Sequence, residues 1–191
     1  MYTDLSNFYY IPTAIDEDVA KLIIQKCDQL SLAPSEIGID DYNNGVDLSI
    51  RKSLTGWVPT DSWIAGMMKH FIEVANEGLF KYDITKWSDK IQYTTYEGAG
   101  SKYNWHTDIA QSPYDESIMR KLSISLLLND PDEYEGGEFQ LMDCAGEKVK
   151  TIKPPLGTAI IFPSTTKHRV RPLKSGKRIS LVGWYGGPPL R

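Results

Sequence analysis

Two of the three histidines in this chain sit where chemistry could be done. His106 is followed two positions later by Asp108, in Tyr103-Asn-Trp-His-Thr-Asp108. In an extended strand, residues i and i+2 share a face, so imidazole and carboxylate would project together towards one cation. His168 opens a later β-rich run after Pro163-Ser-Thr-Thr-Lys167 and offers a third ligand from a neighbouring strand. Two imidazoles and one carboxylate on one face of an octahedral ion leave positions open, an arrangement suited to ferrous iron. A structural zinc site prefers four protein ligands, usually with thiolates, and neither Cys27 nor Cys144 has a ligand-like spacing. The third histidine, His70, lies in a helical pattern and reads as structural or solvated.

Arg178 opens the last apolar run, Arg178-Ile-Ser-Leu-Val-Gly-Trp184. Alternation places Arg178, Ser180, Val182 and Trp184 on one face and Ile179 and Leu181 on the other. If that arginine is buried it needs an anionic partner, and its planar fork would hold a carboxylate bidentately, with the Ser180 hydroxyl beside it. The alternative is a strand-end arginine in solvent.

The elements that would carry these residues follow from pattern. Before about residue 88, helical periodicity dominates. Residues 14–30 repeat Val19, Leu22, Ile23, Cys27 and Leu30 at three- and four-residue steps, with Asp16 as N-cap. Residues 62–78 form a second helix with Asp61 as cap, Trp63, Met67, Phe71 and Val74 or Ala75 as apolar face, and Gly78 as stop. Residues 31–60 read as turn-rich and irregular. Within them the segment 38–58, with Tyr42 and Trp57, is either a mobile loop over the site or a plain surface connection. Beyond residue 88 come short strands at about 90–97, 102–108, 121–129, 137–142, 148–153, 158–162, 168–173 and 178–185, separated by turns that include Pro154-Pro155-Leu-Gly157 and Lys174-Ser-Gly176. Eight such strands predict a double-sheet jelly roll with two supporting helices, an α+β fold. The expected organisation is one domain over 1–191: helical support and loop to 88, jelly-roll core 89–185, and a tail 186–191.

These pieces, in order, resemble the iron(II)- and 2-oxoglutarate-dependent dioxygenases. Within that superfamily they resemble the prolyl 4-hydroxylase-like branch with its PKHD-type hydroxylases. The text that carries the resemblance is Ile91-Gln-Tyr-Thr-Thr-Tyr96, Tyr103 to Asp108, Arg120 to Asn129, Tyr134-Glu-Gly-Gly-Glu-Phe139, Gly157 to Pro163, His168-Arg-Val and Arg178-Ile-Ser180. It implies a double-stranded β-helix. It implies that His106, Asp108 and His168 bind Fe(II), and that Arg178, helped by Ser180, pairs with the distal carboxylate of 2-oxoglutarate. Tyr96 would line the co-substrate pocket and Tyr103 would wall the site, while Arg120 and Trp184 would lie near a bound prolyl substrate. The implied reaction uses dioxygen, with ascorbate as an accessory reductant. It hydroxylates an unactivated C–H, by branch resemblance that of a prolyl residue in a peptide or protein, and releases succinate and CO2. One departure stands out. Where oxygen-sensing relatives carry a tyrosine that also reaches the co-substrate carboxylate, this chain has Leu127, so that contact is lost or replaced. Other substrates on this scaffold would be free amino acids or other small molecules.

Composition narrows the field. The net charge of −4 disfavours a protein built to hold nucleic acid. No apolar run is long enough to span a bilayer and no secretory pattern opens the chain. Two cysteines make no disulfide framework, so a reduced, cytoplasmic protein is expected. A non-enzymatic cupin-like jelly-roll binding module explains the β pattern, and a zinc or manganese hydrolase or isomerase explains the ligands. Neither requires Arg178.

Overall fold

A computed structural model describes residues 8–38, 44–143 and 145–189. Tyr42 and Cys144, both considered above, lie outside the described residues. Helix α1 (Glu17–Cys27) starts where the Asp16 carboxylate accepts from the Val19 amide at 2.9 Å, and it buries Ala20, Ile23 and Cys27. Acidic Glu17 and Asp18 at its start and Lys26 at its end suit the helix dipole. It ends short of the expected residue 30, because the Leu30 amide turns back to the Cys27 carbonyl.

Helix α2 (Trp63–Ala75) is capped by Ser62, whose hydroxyl accepts from the Ala65 amide, and not by Asp61. Its buried residues are Ile64, Ala65, Met68, Ile72 and Ala75, so Ala75 lies on the expected face while the burial expected at Trp63, Met67 and Phe71 falls one position later. Trp63 and Val74 are exposed (48% and 38%), while Met67 and Phe71 fill the flanks. Smaller side chains approach the sheet closely where bulky rings would hold the helix away. The expected stop at Gly78 is also displaced. A π turn (Asn76–Phe80) carries the chain past it, to Lys81 in the left-handed region (φ 57°).

Ten strands matter for the site. They are β1 (Tyr9–Ile11), β2 (Leu54–Val58), β3 (Ile91–Glu97), β4 (Lys102–His106), β5 (Asp115–Leu127), β6 (Phe139–Met142), β7 (Val149–Ile152), β8 (Ala159–Pro163), β9 (His168–Val170) and β10 (Leu173–Gly187). Among the described residues, the large antiparallel sheet runs β1-β8-β5-β10-β3-β2 and ends on the pair Ala33–Pro34. The small sheet runs β7-β6-β9-β4 and ends on Arg51–Lys52. This is the jelly roll expected from the strand count.

Three parts of the expected layout differ, the first being the tail expected from residue 186, since Gly186 and Gly187 close β10 and pair with Arg120 and Met119. Residues 31–60 are not simply irregular, since β2 pairs with β3 and Arg51–Lys52 pairs with β4. The Lys174–Gly176 turn is absent, because those residues lie inside β10 and pair with 134–136. Gly176 (φ +80°) is needed there, since a Cβ would fall 2.2 Å from the Glu133 carbonyl oxygen.

Alternation along the large sheet sorts its two faces. Ile91, Tyr93, Leu122, Ile124, Leu126, Ile161, Ile179 and Leu181 pack against the helices in one core. The other face meets the small sheet, where Tyr96, Phe139, Leu141, Phe162 and Val170 form a second core. That inner face also carries Gln92, Thr94, Ser123, Ser125, Arg178 and Ser180, all buried. Polar groups on a buried sheet face are costly unless they find partners.

Candidate active site

Strand β4 carries His106 and β9 carries His168, and the two residues are direct cross-strand partners. Their ring centroids lie 4.1 Å apart. Asp108 follows β4, its amide held by the Ser164 carbonyl at 2.8 Å. One donor atom from each of His106, Asp108 and His168 lies within 4.8 Å of the others. The carboxylate oxygens stand 3.6 Å from His106 Nε2 and 3.4 Å from His168 Nε2.

Each ring is locked by its own strand. His106 Nδ1–H donates to the Asn104 carbonyl at 2.8 Å, and His168 Nδ1–H donates to the Thr166 carbonyl at 2.9 Å. A carbonyl only accepts, so both rings carry the proton on Nδ1 and present the Nε2 lone pair. Such outer hydrogen bonds orient imidazoles for metals. Asp108 Oδ2 is buried with no hydrogen-bond partner. Two free nitrogen lone pairs and an orphaned carboxylate oxygen, converging without thiolates, fit a first-row divalent cation with open positions.

Electrostatics agree with that fit. Burial, and then the neighbouring His168, hold the His106 pKa well below its ordinary value, so the ring is neutral. Burial pushes Asp108 up, but His168, His106, Trp184 and Arg120 outweigh it, and its carboxyl stays below the usual range. The Trp184 indole N–H is close enough to contribute, yet it lies outside hydrogen-bond geometry.

Arg178, on β10, is 3% exposed and lines the same pocket as the triad. Its Nη1 donates to Ser180 Oγ at 3.0 Å, and its guanidinium carbon lies 5.6 Å from the Tyr96 ring centroid. Among the described residues no carboxylate pairs with it. A buried guanidinium without an anion is costly, and the pocket beside it is where an anion would be received. Asn129 sets its position by accepting from the Ile179 amide and donating to the Lys177 carbonyl, both at 2.8 Å. Leu127 pairs with Ser180 and is buried with no donor to offer. Tyr134 instead abuts Arg178. Burial raises its pKa while the guanidinium opposes the rise. Gly137 (φ +66°) leaves room for both, since a Cβ there would lie 3.3 Å from the Tyr134 ring and 3.4 Å from Arg178 Cδ.

The pocket, mouth included, holds about 420 Å³ of empty space, within the usual range for a small-ligand site. Tyr96, Tyr103, Ser180 and Trp184 all line it. Tyr103 stacks on His106 with centroids 3.5 Å apart and planes 16° apart. Phe162 and Phe139 flank His168 at 4.7 and 5.7 Å. Arg120 is not in the lining. It pairs with Asp89 at 2.9 Å and lies over the Trp184 ring at 4.0 Å. Trp57 is 43% exposed on β2, away from the pocket lining.

Sequence reasoning missed Arg51, Gln92, Ser125 and Tyr134. Arg51 is 5% exposed and lines the pocket with Gln92 and Ser125. The available signal was its place just before the β-rich run Leu54-Thr-Gly-Trp-Val58.

Compared with known proteins, residues 91–186 match the family model described as the 2OG-Fe(II) oxygenase superfamily. A PKHD-type hydroxylase from Synechococcus sp. (strain CC9605) is 40% identical over 86 residues, which is 45% of this chain and 37% of that protein. One from Xylella fastidiosa (strain M12) is 42% identical over 90 residues, 44% of this chain and 38% of its own. The matched stretch thus spans under two fifths of either relative. Among solved structures, a Pseudomonas putida prolyl-4-hydroxylase superposes with TM-score 0.71 at 20% identity, over 96% of this chain and 94% of that one. A Trichoplax adhaerens prolyl hydroxylase, solved with a hypoxia inducible factor peptide fragment, gives TM-score 0.73 at 20% identity, over 94% and 83%. These two likenesses concern the fold. Among the described residues no helix is long and apolar enough to cross a membrane.

Proposed function

This chain belongs to the 2OG-Fe(II) oxygenase superfamily, and on that premise we propose that it is an Fe(II)- and 2-oxoglutarate-dependent dioxygenase that hydroxylates a prolyl residue of a peptide or protein. One observation carries the reading. A buried arginine without a carboxylate partner lines the same pocket as three converging metal-ligand side chains. When bound, ferrous iron and 2-oxoglutarate supply the oxidising power: one atom of dioxygen enters succinate as CO2 leaves, and the other enters the substrate C–H bond.

The chain's own residues do the rest. His106, Asp108 and His168 would hold the ion, with both imidazoles kept in the ligating tautomer by the Asn104 and Thr166 carbonyls. Arg178 would grip the distal carboxylate of 2-oxoglutarate, with Ser180 and Tyr134 as neutral partners of its guanidinium. Tyr134 would thereby replace the hydroxyl that Leu127 lacks. Tyr96, Phe139, Phe162 and Val182 wall the pocket and exclude water, which strengthens the charge pair. Trp184, backed by Arg120 and Asp89, would position the substrate.

The prolyl substrate is supported by the likeness to PKHD-type and prolyl hydroxylases. The test is succinate formation from 2-oxoglutarate with added ferrous iron, comparing wild type with His106→Ala and Arg178→Ala. Loss in both variants is expected, and equal turnover in all three would overturn the reading. Incubation with peptide and metabolite libraries, followed by mass spectrometry for products gaining one oxygen atom, decides the substrate. A metabolite product without a peptide product would replace the prolyl assignment by a small-molecule one.

A further inference from the structure

Arg51 takes no part in the chemistry above, yet the fold builds a socket for it. Its Nε donates to Ser53 Oγ at 3.1 Å and its Nη1 to the Glu36 carbonyl at 3.2 Å. Its Nη2 reaches Gln92 Oε1 at 3.0 Å and Thr55 Oγ1 at 3.4 Å. Ser35 bonds to both Ser53 and Thr55, which closes the network. Ser35, Arg51, Ser53, Thr55 and Gln92 are all buried. Among the described residues no carboxylate pairs with the guanidinium. Most of its N–H groups are thus already bound to neutral acceptors, which leaves little capacity for a bidentate ligand.

The same socket sets the guanidinium over an aromatic ring. Its central carbon lies 4.5 Å from the Tyr103 ring centroid, and Tyr103 is the ring that stacks on His106. Tyr103 thus touches both Arg51 and His106. The two imidazoles differ in their support. His168 is flanked by Phe162 and Phe139, whereas the rings in contact with His106 are Tyr103 and His168 itself. The hydrogen bond from Nδ1 to the Asn104 carbonyl holds one edge of the His106 ring. The Tyr103 ring bears on its face, and the two contacts together set where Nε2 points.

We propose that Arg51 is a positioning residue for His106, acting through Tyr103 to aim the metal-ligating nitrogen. This rests on the reading of the triad as a metal centre. Substitution of groups that orient metal ligands commonly costs about 10–100-fold in metal affinity. The test is titration of the metal-free chain with Co2+, read by visible d–d absorption, without 2-oxoglutarate or substrate.

Tyr103→Phe keeps the ring and is expected to bind as wild type. Tyr103→Leu and Arg51→Gln are expected to bind at least about tenfold more weakly with an altered band. The double variant should be no weaker than Tyr103→Leu alone, because Arg51 acts through Tyr103. Circular dichroism checks folding. If Arg51→Gln does not fold, Arg51→Lys, which keeps the charge but not the planar fork, takes its place in the comparison.

Wild-type cobalt affinity and spectrum in the Arg51 variant would overturn the proposal, as would fully additive losses in the double variant. A raised KM for substrate with unchanged cobalt binding would make Arg51 a substrate contact and also overturn it. Absence of a cobalt band in the wild type would instead defeat the underlying metal-site reading.

Discussion

His106 and Asp108 are two residues apart, yet the pair becomes a candidate site only because His168 is its cross-strand neighbour. Their protonation makes the site sensitive to acid. The His106 pKa is depressed when folded, whereas the unfolded chain would protonate it near 6.5. The unfolded state therefore binds more protons as pH falls below about 6.5, and stability must fall with it. Asp108 acts with the same sign below its ordinary value of 3.8, because its folded pKa is also lowered. Thermal melts of the metal-free chain should show Tm dropping from pH 7 to pH 5, and His106→Gln should flatten that drop. An equal slope in the variant would contradict the assignment. Arg178 makes a separable prediction. Arg178→Ala removes charge-assisted hydrogen bonds worth about 1.5–3 kcal/mol, so KM for 2-oxoglutarate should rise at least about tenfold. Cobalt affinity measured without co-substrate should stay at the wild-type value.

At the scale of elements, the rotation of α2 and the clamp at Asn129 are the features to test. Ile72 is fully buried on the sheet-facing stripe, while Val74 is 38% exposed. Ile72→Ala should cost about 2–5 kcal/mol in urea unfolding, and Val74→Ala less than about 0.5 kcal/mol. Reversed magnitudes would restore the face expected from periodicity. Asn129 holds the backbone on both sides of Arg178. Asn129→Ala leaves a buried amide and carbonyl short of partners, at about 1–3 kcal/mol, and should raise KM for 2-oxoglutarate while Arg178 itself is intact.

At the scale of the whole molecule, the site is the seam between two sheets. The large sheet supplies Tyr96, Arg178, Ser180 and Trp184, and the small sheet supplies Tyr103, His106 and His168. Ligands that bind both sheets should therefore stabilise the entire fold. At a hundred times Kd a bound ligand adds about 2.7 kcal/mol. Addition of Mn2+ and then 2-oxoglutarate should raise Tm in two steps. His168→Ala should lose the first step, and Arg178→Ala only the second.

The alternation Arg178, Ser180, Val182, Trp184 against Ile179, Leu181 was legible in the chain and sorted which side chains of β10 share a face, because side chains on a strand alternate regardless of context. The His-x-Asp spacing, the eight strands β3 to β10 and the Asp16 cap were legible for the same reason: each depends on neighbours within a few residues. Arg51, Tyr134 and the true face of α2 were not. The Arg51 socket joins residues 35, 53, 55 and 92, and Tyr134 reaches Arg178 only because 134–136 pairs with β10 across Gly176. Which of several apolar stripes a helix buries is decided by the shape of the sheet it meets. Local pattern determined the parts and the alternation along each strand; only long-range packing decided which helix face is buried and which buried charges share one pocket.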